Sequence, residues 1–339
     1  MNSDMNKLVI GVDIGGANLK YASACGMAAS RAFAMWREPE NLATALAEDL
    51  QSNFCNQQHA IETLAVTMTG ELADCFIDRE IGVQHIVEQT CHAAAQLGLD
   101  HVQFYGVDGL FHNARAAGEN SDLIAAANWH ALANFIGREV AADALLIDIG
   151  STTTDIIPIT QQQVATTALT DHDRLCEHSL VYVGCKRTPV CSLVDTLEYR
   201  GVVTPVMNEQ FATIDDALLL LGLTPPDPHD SDSADGNPRT QPFAANRLAR
   251  MIGLDRRAVT HVEAQGLAQQ VATAATQRIV TAINDINHHA PWVLSGHGLP
   301  LVPLAAGHPT LRLADQLGHE IARCAPAYAV SRLIKLELQ

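Results

Sequence analysis

The string Asp13-Ile-Gly-Gly-Ala-Asn-Leu-Lys20 sets a carboxylate, two adjacent glycines, an amide and an ammonium within one short turn. Glycines in such a turn let backbone N–H groups approach an anion, and a neighbouring acid can hold a divalent cation directly or through water. Gly15, Gly16, Asn18 and Lys20 are therefore candidate phosphate ligands, and Asp13 is a candidate metal ligand. A second string, Asp148-Ile-Gly-Ser-Thr-Thr-Thr-Asp155, repeats the plan. Gly150, Ser151, Thr152 and Thr153 offer a turn followed by hydroxyl donors, and Asp148 stands where Asp13 stands in the first. A third string, Leu294-Ser-Gly-His-Gly-Leu299, places Gly296 and Gly298 in a strand–turn–helix element that can receive a nucleotide or another flat ligand close to the backbone. Each string has a plainer reading as well. The first is also a hairpin, the threonines also suit a strand edge, and the third is also a tight turn that needs positive φ. The first is not a Gly-x-Gly-x-x-Gly fingerprint, because its glycines are adjacent and a strand follows.

Strands and helices must position these turns. Residues 8–14 read as a buried strand by their apolar run. Residues 18–24 and 31–36 extend it into a small sheet, with Gly26 in a turn. Leu42, Leu46, Leu50 and Phe54 recur every fourth residue, which predicts a helix over 40–54. A short strand over 64–69 ends at Gly70, a helix covers 81–97, and a strand over 102–107 ends in Asp108-Gly109. Ser121 is a good N-cap for a helix running to Ile136. The pattern restarts at Leu145, with strands near 145–150, 154–159 and 179–183. A mixed segment comes next over 188–242, and its tail from 225 is rich in Pro, Asp, Ser and Gly, as loops are. A long helix is predicted over 258–288, with Val262, Leu267, Val271, Ala275, Ile279 and Ile283 on one stripe and Pro291 as its stop. Residues 292–295 form a strand, and a C-terminal helix begins near 326.

Alternating strands and helices point to an α/β fold. At 339 residues, two domains are expected. The boundary falls at 141/142, giving domains over 1–141 and 142–325, an insertion at about 188–242, and a helix over 326–339 that packs back on a domain. A formal net charge of −17 argues against nucleic acid as the partner. No apolar stretch reaches the ~20 residues of a membrane span, and the polar start is not a signal peptide. Eight cysteines without a Cys-x-x-Cys pair read as free thiols in a reducing compartment, so the cytoplasm is expected. The chain has only four lysines, and two of them, Lys20 and Lys186, lie beside glycine-containing turns.

The three strings, in this order, resemble the superfamily of sugar kinases, heat-shock chaperones and actin. That resemblance implies two actin-like, ribonuclease H-like domains around a central cleft, with the two Asp-x-Gly turns as phosphate-1 and phosphate-2 loops and the later glycine turn beside adenosine. Within it, the two Asp-Ile-Gly turns look like the hydantoinase/oxoprolinase branch. Longer strings carry a closer likeness: Thr67-Met-Thr-Gly-Glu-Leu-Ala-Asp74, Phe104-Tyr-Gly-Val-Asp-Gly109, Ala126-Ala-Asn-Trp-His-Ala131, Gly184-Cys-Lys-Arg-Thr-Pro-Val190, and Ala234-Asp-Gly236 followed by Arg247-Leu-Ala-Arg-Met251. They resemble the family tied to tetrahydromethanopterin-linked one-carbon transfer. Its archaeal members are methanofuran-biosynthesis synthases, which join a furan-methyl diphosphate to the phenol of γ-glutamyltyramine and release diphosphate.

The resemblance implies a transferase for a small-molecule diphosphate ester and a phenolic acceptor, with Mg²⁺ on Asp13 and Asp148. Lys20, Ser151, Thr152 and the glycine N–H groups would hold the diphosphate, with Lys186 and Arg187 adding charge. ATP is not expected to be required, and a homo-oligomer is left open. The base that takes the phenol proton is Asp108 or Glu71. Asp74 also follows a strand end, and His130 reads as structural. The stretch 229–236 fails as an EF-hand loop on spacing and reads as a polar loop. An ATP-dependent small-molecule kinase or amidohydrolase is the second reading, and a nucleotide-sensing actin-like protein without turnover is the third.

Overall fold

The strand β1 (Asn6–Ile14) is apolar on both faces because it is covered on both. In the computed structural model, which describes residues 6–55, 59–302 and 308–338, it is the middle of a six-stranded sheet. β2 (Asn18–Ser23) and β3 (Ala28–Ala32) continue it antiparallel on one side. α1 (Leu42–Phe54) comes next and buries Leu42, Leu46, Leu50 and Phe54 against the sheet. β4 (His59–Met68) returns parallel to β1. α2 (Arg79–Gln96) is capped by the Asp78 carboxylate, which accepts from the Ile81 N–H at 2.9 Å. β5 (His101–Tyr105) pairs parallel with β4, and β6 (Phe111–His112) closes the edge antiparallel. The sheet order is β3-β2-β1-β4-β5-β6.

α3 (Ala114–Glu119) comes next, and the single helix expected over 121–136 is two: α4 (Ser121–Ile124) and α5 (Asn128–Glu139). The break is held from a distance. Ala126 takes φ 49°, left-handed and costly for alanine, and its N–H is held by the Glu71 carboxylate.

β7 (Ala144–Ile149), β8 (Thr154–Thr160) and β9 (Gln163–Val164) begin the second sheet. After α6 (Asp171–Cys176), β10 (Leu180–Val181) pairs with β8. The mixed segment over 188–242 contains α7 (Val190–Leu193), the hairpin of β11 (Thr196–Tyr199) and β12 (Val202–Pro205), and α8 (Ile214–Leu220). Next come α9 (Gln241–Arg250) and α10 (His261–Ile286). α10 starts in a capping box, where Thr260 and Glu263 satisfy each other's backbone N–H groups. It ends on Asn287 at φ 50°, a left-handed cap, before Pro291 is reached. Val262 is 74% exposed, so the buried stripe starts at Ala264 and Leu267 instead.

β13 (Trp292–Gly296) and β14 (Thr310–Arg312) complete the second sheet, in the order β10-β8-β7-β13-β14. The glycine turn after β13 leads into one 3-10 turn over Leu299–Leu301, and residues 303–307 lie outside the described residues. α11 (Leu313–Leu317), α12 (His319–Arg323) and α13 (Ala325–Glu337) end the chain. The strand expected over 31–36 lies earlier, at Ala28–Ala32, because Gly26 turns the chain at φ 102°.

The chain forms two compact units, and no single cut at 141/142 separates them. One unit holds residues 1–146, 157–173 and 311–339, and the other holds 147–156 and 174–310. In the first, α13 lies on β1, where a Cβ on Gly11 would stand 1.7 Å from the Ala327 carbonyl oxygen. In the second, Arg247 is fully buried and paired with Asp216 at 2.7 Å and Asp235 at 2.9 Å. That pairing turns the Ala234-Asp-Gly236 stretch into a pinned loop, since an unpaired buried guanidinium would be costly. Among the described residues no helix is long and apolar enough to cross a membrane.

Candidate functional site

In the first unit, β1, β4 and β5 run parallel, so their carboxyl ends share one edge of the sheet, where ligands of α/β sheets are held. Asp13 lies at the end of β1, opposite Lys20 on β2 and Thr67 on β4. Its Oδ2 is 3.7 Å from the Lys20 ammonium, and its buried Oδ1 has no hydrogen-bond partner. Burial raises its pKa, while Lys20 draws it down. The Thr67 hydroxyl beside it is also buried and without a partner. The turn itself is closed by the Gly15 N–H donating to the Asn18 carbonyl at 3.0 Å. Met35 and Phe33 N–H groups bind the carbonyls of Gly16 and Ala17 and brace it from outside. A Cβ on Gly16 would meet nothing within 4 Å, so packing does not require glycine there. Asn18 is exposed.

Glu71 follows β4 on a 3-10 turn and is 1% exposed. Its Oε1 accepts the Ala126 N–H at 2.9 Å, and its Oε2 has no partner. Burial pushes its carboxyl up to about 7, against the pull of two backbone N–H groups and Arg79. Asp108 follows β5 and is not a free acid. Its Oδ2 and Oδ1 stand 3.0 and 3.2 Å from the His112 Nε2, and Oδ1 also accepts the Leu110 N–H. His130 is buried and bonded through Nδ1 to the Tyr105 hydroxyl at 3.0 Å. Asp74 is exposed.

In the second unit, the Gly150 N–H donates to the Thr153 carbonyl at 2.9 Å and closes the other turn. Ser151, Thr152 and Thr153 are half-buried on it. Residues 184–187 strap this turn down. The Cys185 N–H binds the Gly150 carbonyl, and the Lys186 and Arg187 N–H groups both bind the Ser151 carbonyl, all within 3.0 Å. Gly184 passes so close that a Cβ would stand 2.4 Å from the Thr152 nitrogen. Nothing in the sequence announces this strap, although residue type alone makes both of its cations candidates. The Lys186 ammonium lies 3.5 and 3.3 Å from Asp230 and Asp232 of the polar loop, and Arg187 is exposed. Asp155 pairs with the buried Arg174.

The third turn has a packing reason for its glycines. The His297 and Gly298 N–H groups both donate to the Ile149 carbonyl. Gly296 takes φ 85°, and a Cβ on it would stand 2.2 Å from that oxygen and 2.8 Å from the Asp148 Oδ1. The turn is therefore seated on the end of β7, beside Asp148.

A family model described as hydantoinase/oxoprolinase matches residues 62–333. The chain belongs to the hydantoinase/oxoprolinase family. Two archaeal relatives carry the same name, (4-{4-[2-(gamma-L-glutamylamino)ethyl]phenoxymethyl}furan-2-yl)methanamine synthase. The one from Methanocaldococcus jannaschii is 30% identical over 341 residues, covering 98% of this chain and 99% of that protein. The one from Methanococcus vannielii is 26% identical over 216 residues, covering 61% of this chain and 97% of that protein. Among solved structures, nucleotide-free acetone carboxylase matches with a TM-score of 0.55 at 10% identity, over 95% of this chain and 70% of that one. That likeness speaks for the fold alone. The α/β class read from the sequence is the class of this hydantoinase/oxoprolinase member.

Proposed function

We propose that this protein makes the aryl ether of a methanofuran-type cofactor, joining an aminomethylfuran-methyl diphosphate to a tyramine- or tyrosine-type phenol. The observation that carries this reading is the end-to-end likeness to the Methanocaldococcus jannaschii synthase. The compound in that protein's name contains a phenoxymethyl-furan ether. Forming such a bond joins the phenol oxygen to the furan methylene, breaks the methylene–oxygen bond to a leaving group, and leaves one proton to be taken up. Diphosphate as the leaving group suits two glycine turns that each present an acid.

Each turn by itself offers one carboxylate that a magnesium ion could use. The unpartnered Asp13 Oδ1 is a buried acceptor with nothing to accept from, and Asp148 ends the matching strand. No group of three metal-ligating side chains exists among the described residues. Magnesium is commonly held by one or two carboxylates together with substrate phosphates. When bound, it would offset the charge that builds on the departing diphosphate. Lys20 supplies a fixed cation beside Asp13. Gly15, Gly16 and Asn18 in one turn, and Gly150, Ser151, Thr152 and Thr153 in the other, offer N–H and hydroxyl donors to its oxygens. Lys186 and Arg187 touch the second turn through their backbone N–H groups on the Ser151 carbonyl. A developing furan-methylene cation is ring-stabilised, so holding the leaving group is one of the enzyme's two tasks, and taking up the phenol proton is the other.

The kinase reading needs an adenosine site around Gly296 and Gly298. Their close packing on Ile149 accounts for both glycines without a nucleotide. The test is turnover of furan-methyl diphosphate with tyramine in the presence of Mg²⁺, monitoring ether and diphosphate together, beside calorimetry with diphosphate and with ATP. Stoichiometric ether and diphosphate are expected. Tight ATP binding with phosphoryl transfer to a small molecule would replace this reading with the kinase.

A further inference from the structure

We infer that His112 is the general base that takes the phenol proton, with Asp108 as the residue that positions it. The inference rests on the transferase reading above. In a displacement at the furan methylene, the phenol oxygen approaches from the side opposite the leaving diphosphate. The base must therefore stand away from the phosphate turn while sharing its edge of the sheet. β5 ends two strands from β1, and at the usual strand spacing that is about 10 Å.

Asp108 and His112 stand at that end. A carboxylate can only accept, so its contacts with His112 assign the hydrogen to Nε2 and leave a lone pair on Nδ1. Among the described residues nothing donates to that Nδ1. The surrounding turn is shaped around the pair. A Cβ on Gly106 would stand 2.6 Å from the Asp108 Oδ1 and 3.2 Å from the His112 Nε2. The His112 side chain is 16% exposed, enough shelter to fix it and enough access to meet a ligand. Leu110, between the two, is 58% exposed and gives an aromatic acceptor an apolar wall.

The other candidate bases are committed. Glu71 is sealed under the helix break at Ala126. His130 is bonded through Nδ1 to the Tyr105 hydroxyl, which accepts from the Asn134 amide at 2.8 Å. The charged groups around this end are Asp108 beside His112 and, acting on Tyr105 below, Arg138 and Glu337.

In the step itself, the phenol oxygen bonds to the methylene, the methylene–oxygen bond to diphosphate breaks, and the phenol proton passes to the His112 Nδ1. The Asp108 carboxylate holds the charge that the ring acquires, as the acid of a hydrolase triad does.

The test uses the full chain with furan-methyl diphosphate, comparing tyramine with a ring-fluorinated tyramine whose phenol is already ionised at the assay pH. With tyramine, His112→Gln is expected to lower kcat by about 10²–10⁴-fold. With the fluorinated acceptor the loss should shrink to within about tenfold, since no proton remains to be taken. Calorimetric affinity of the variant for diphosphate should match wild type and report an intact fold. Asp108→Asn should lower kcat with tyramine and move the acidic limb of its pH profile, which a purely structural residue would not do. Imidazole should restore part of the activity of His112→Gly. A wild type that makes ether while His112→Gln keeps full kcat, or loses equally with both phenols, overturns the inference. A wild type that makes no ether at all overturns the transferase reading, and the inference with it.

Discussion

Asp13 is a carboxylate that the chain leaves half-satisfied: Lys20 faces one oxygen, and nothing donates to the other. A buried acceptor in that condition is costly unless a ligand completes it. Asp13→Ala and Asp148→Ala are each expected to reduce turnover by at least about 10²-fold while melting within a few degrees of wild type. Full activity in both variants would remove the metal assignment. Glu71 is the other costly carboxyl, and its effect is read in pH. Burial lifts it from 4.5 to about 7. Between those values the folded chain keeps a proton that the unfolded chain has released. Stability therefore falls as pH rises through that window, by roughly 3 kcal/mol in all. Glu71→Gln keeps an acceptor for the Ala126 N–H and removes the charge. Its denaturation midpoint should exceed wild type at pH 8 and converge with it near pH 4.5, and parallel curves would refute the assignment. The acids at 13 and 148 were legible because type and spacing name them. The pairing of Asp108 with His112 was not, because it depends on how the turn after β5 folds back.

The two Asp-Ile-Gly turns are local structures. Each follows an apolar strand and closes with a hydrogen bond across three residues, so both could be read from the chain. The second turn is secured from a distance. The 184–187 strap follows β10 in the chain, and its contacts are backbone to backbone, which no side-chain pattern announces. Gly184→Ala tests the strap, since its Cβ would collide with Thr152 backbone. It is expected to cost about 1–3 kcal/mol of stability and to weaken diphosphate binding by about tenfold. An unchanged dissociation constant in a folded variant would show that the strap does not govern the turn. Helix ends divide in the same way. The capping box at Thr260 and Glu263 is a sequence signal. By contrast, the break at Ala126 needs a carboxylate from 55 residues away.

At the scale of the whole molecule, the chain divides by contact and not by order. Residues 311–339 belong with the first unit, where α13 covers β1 and Gly11 admits the Ala327 carbonyl. A chain ending at Arg312 would leave that face of the sheet open to water. It should be recovered as aggregate or lose cooperative unfolding, and a soluble, cooperatively melting truncation would show that α13 is dispensable. The apolar helix was visible in the sequence, but the strand it covers was not, because any apolar face can bury it.

The sequence by itself determined the class of the protein. Two Asp-Ile-Gly turns after apolar strands require only local backbone geometry, and the long family strings name their branch directly. The alternation of strands and helices set the α/β architecture, because hydrophobic periodicity is itself local. Only the tertiary structure decided which groups are free to act. Asp108 became a partner of His112, Glu71 a buried support, Lys186 a partner of an acidic loop, and the third glycine turn a seat on Ile149. Each of these outcomes depends on burial and on partners distant in the chain. Those two quantities decide whether a carboxylate or an N–H has anything left to offer a substrate.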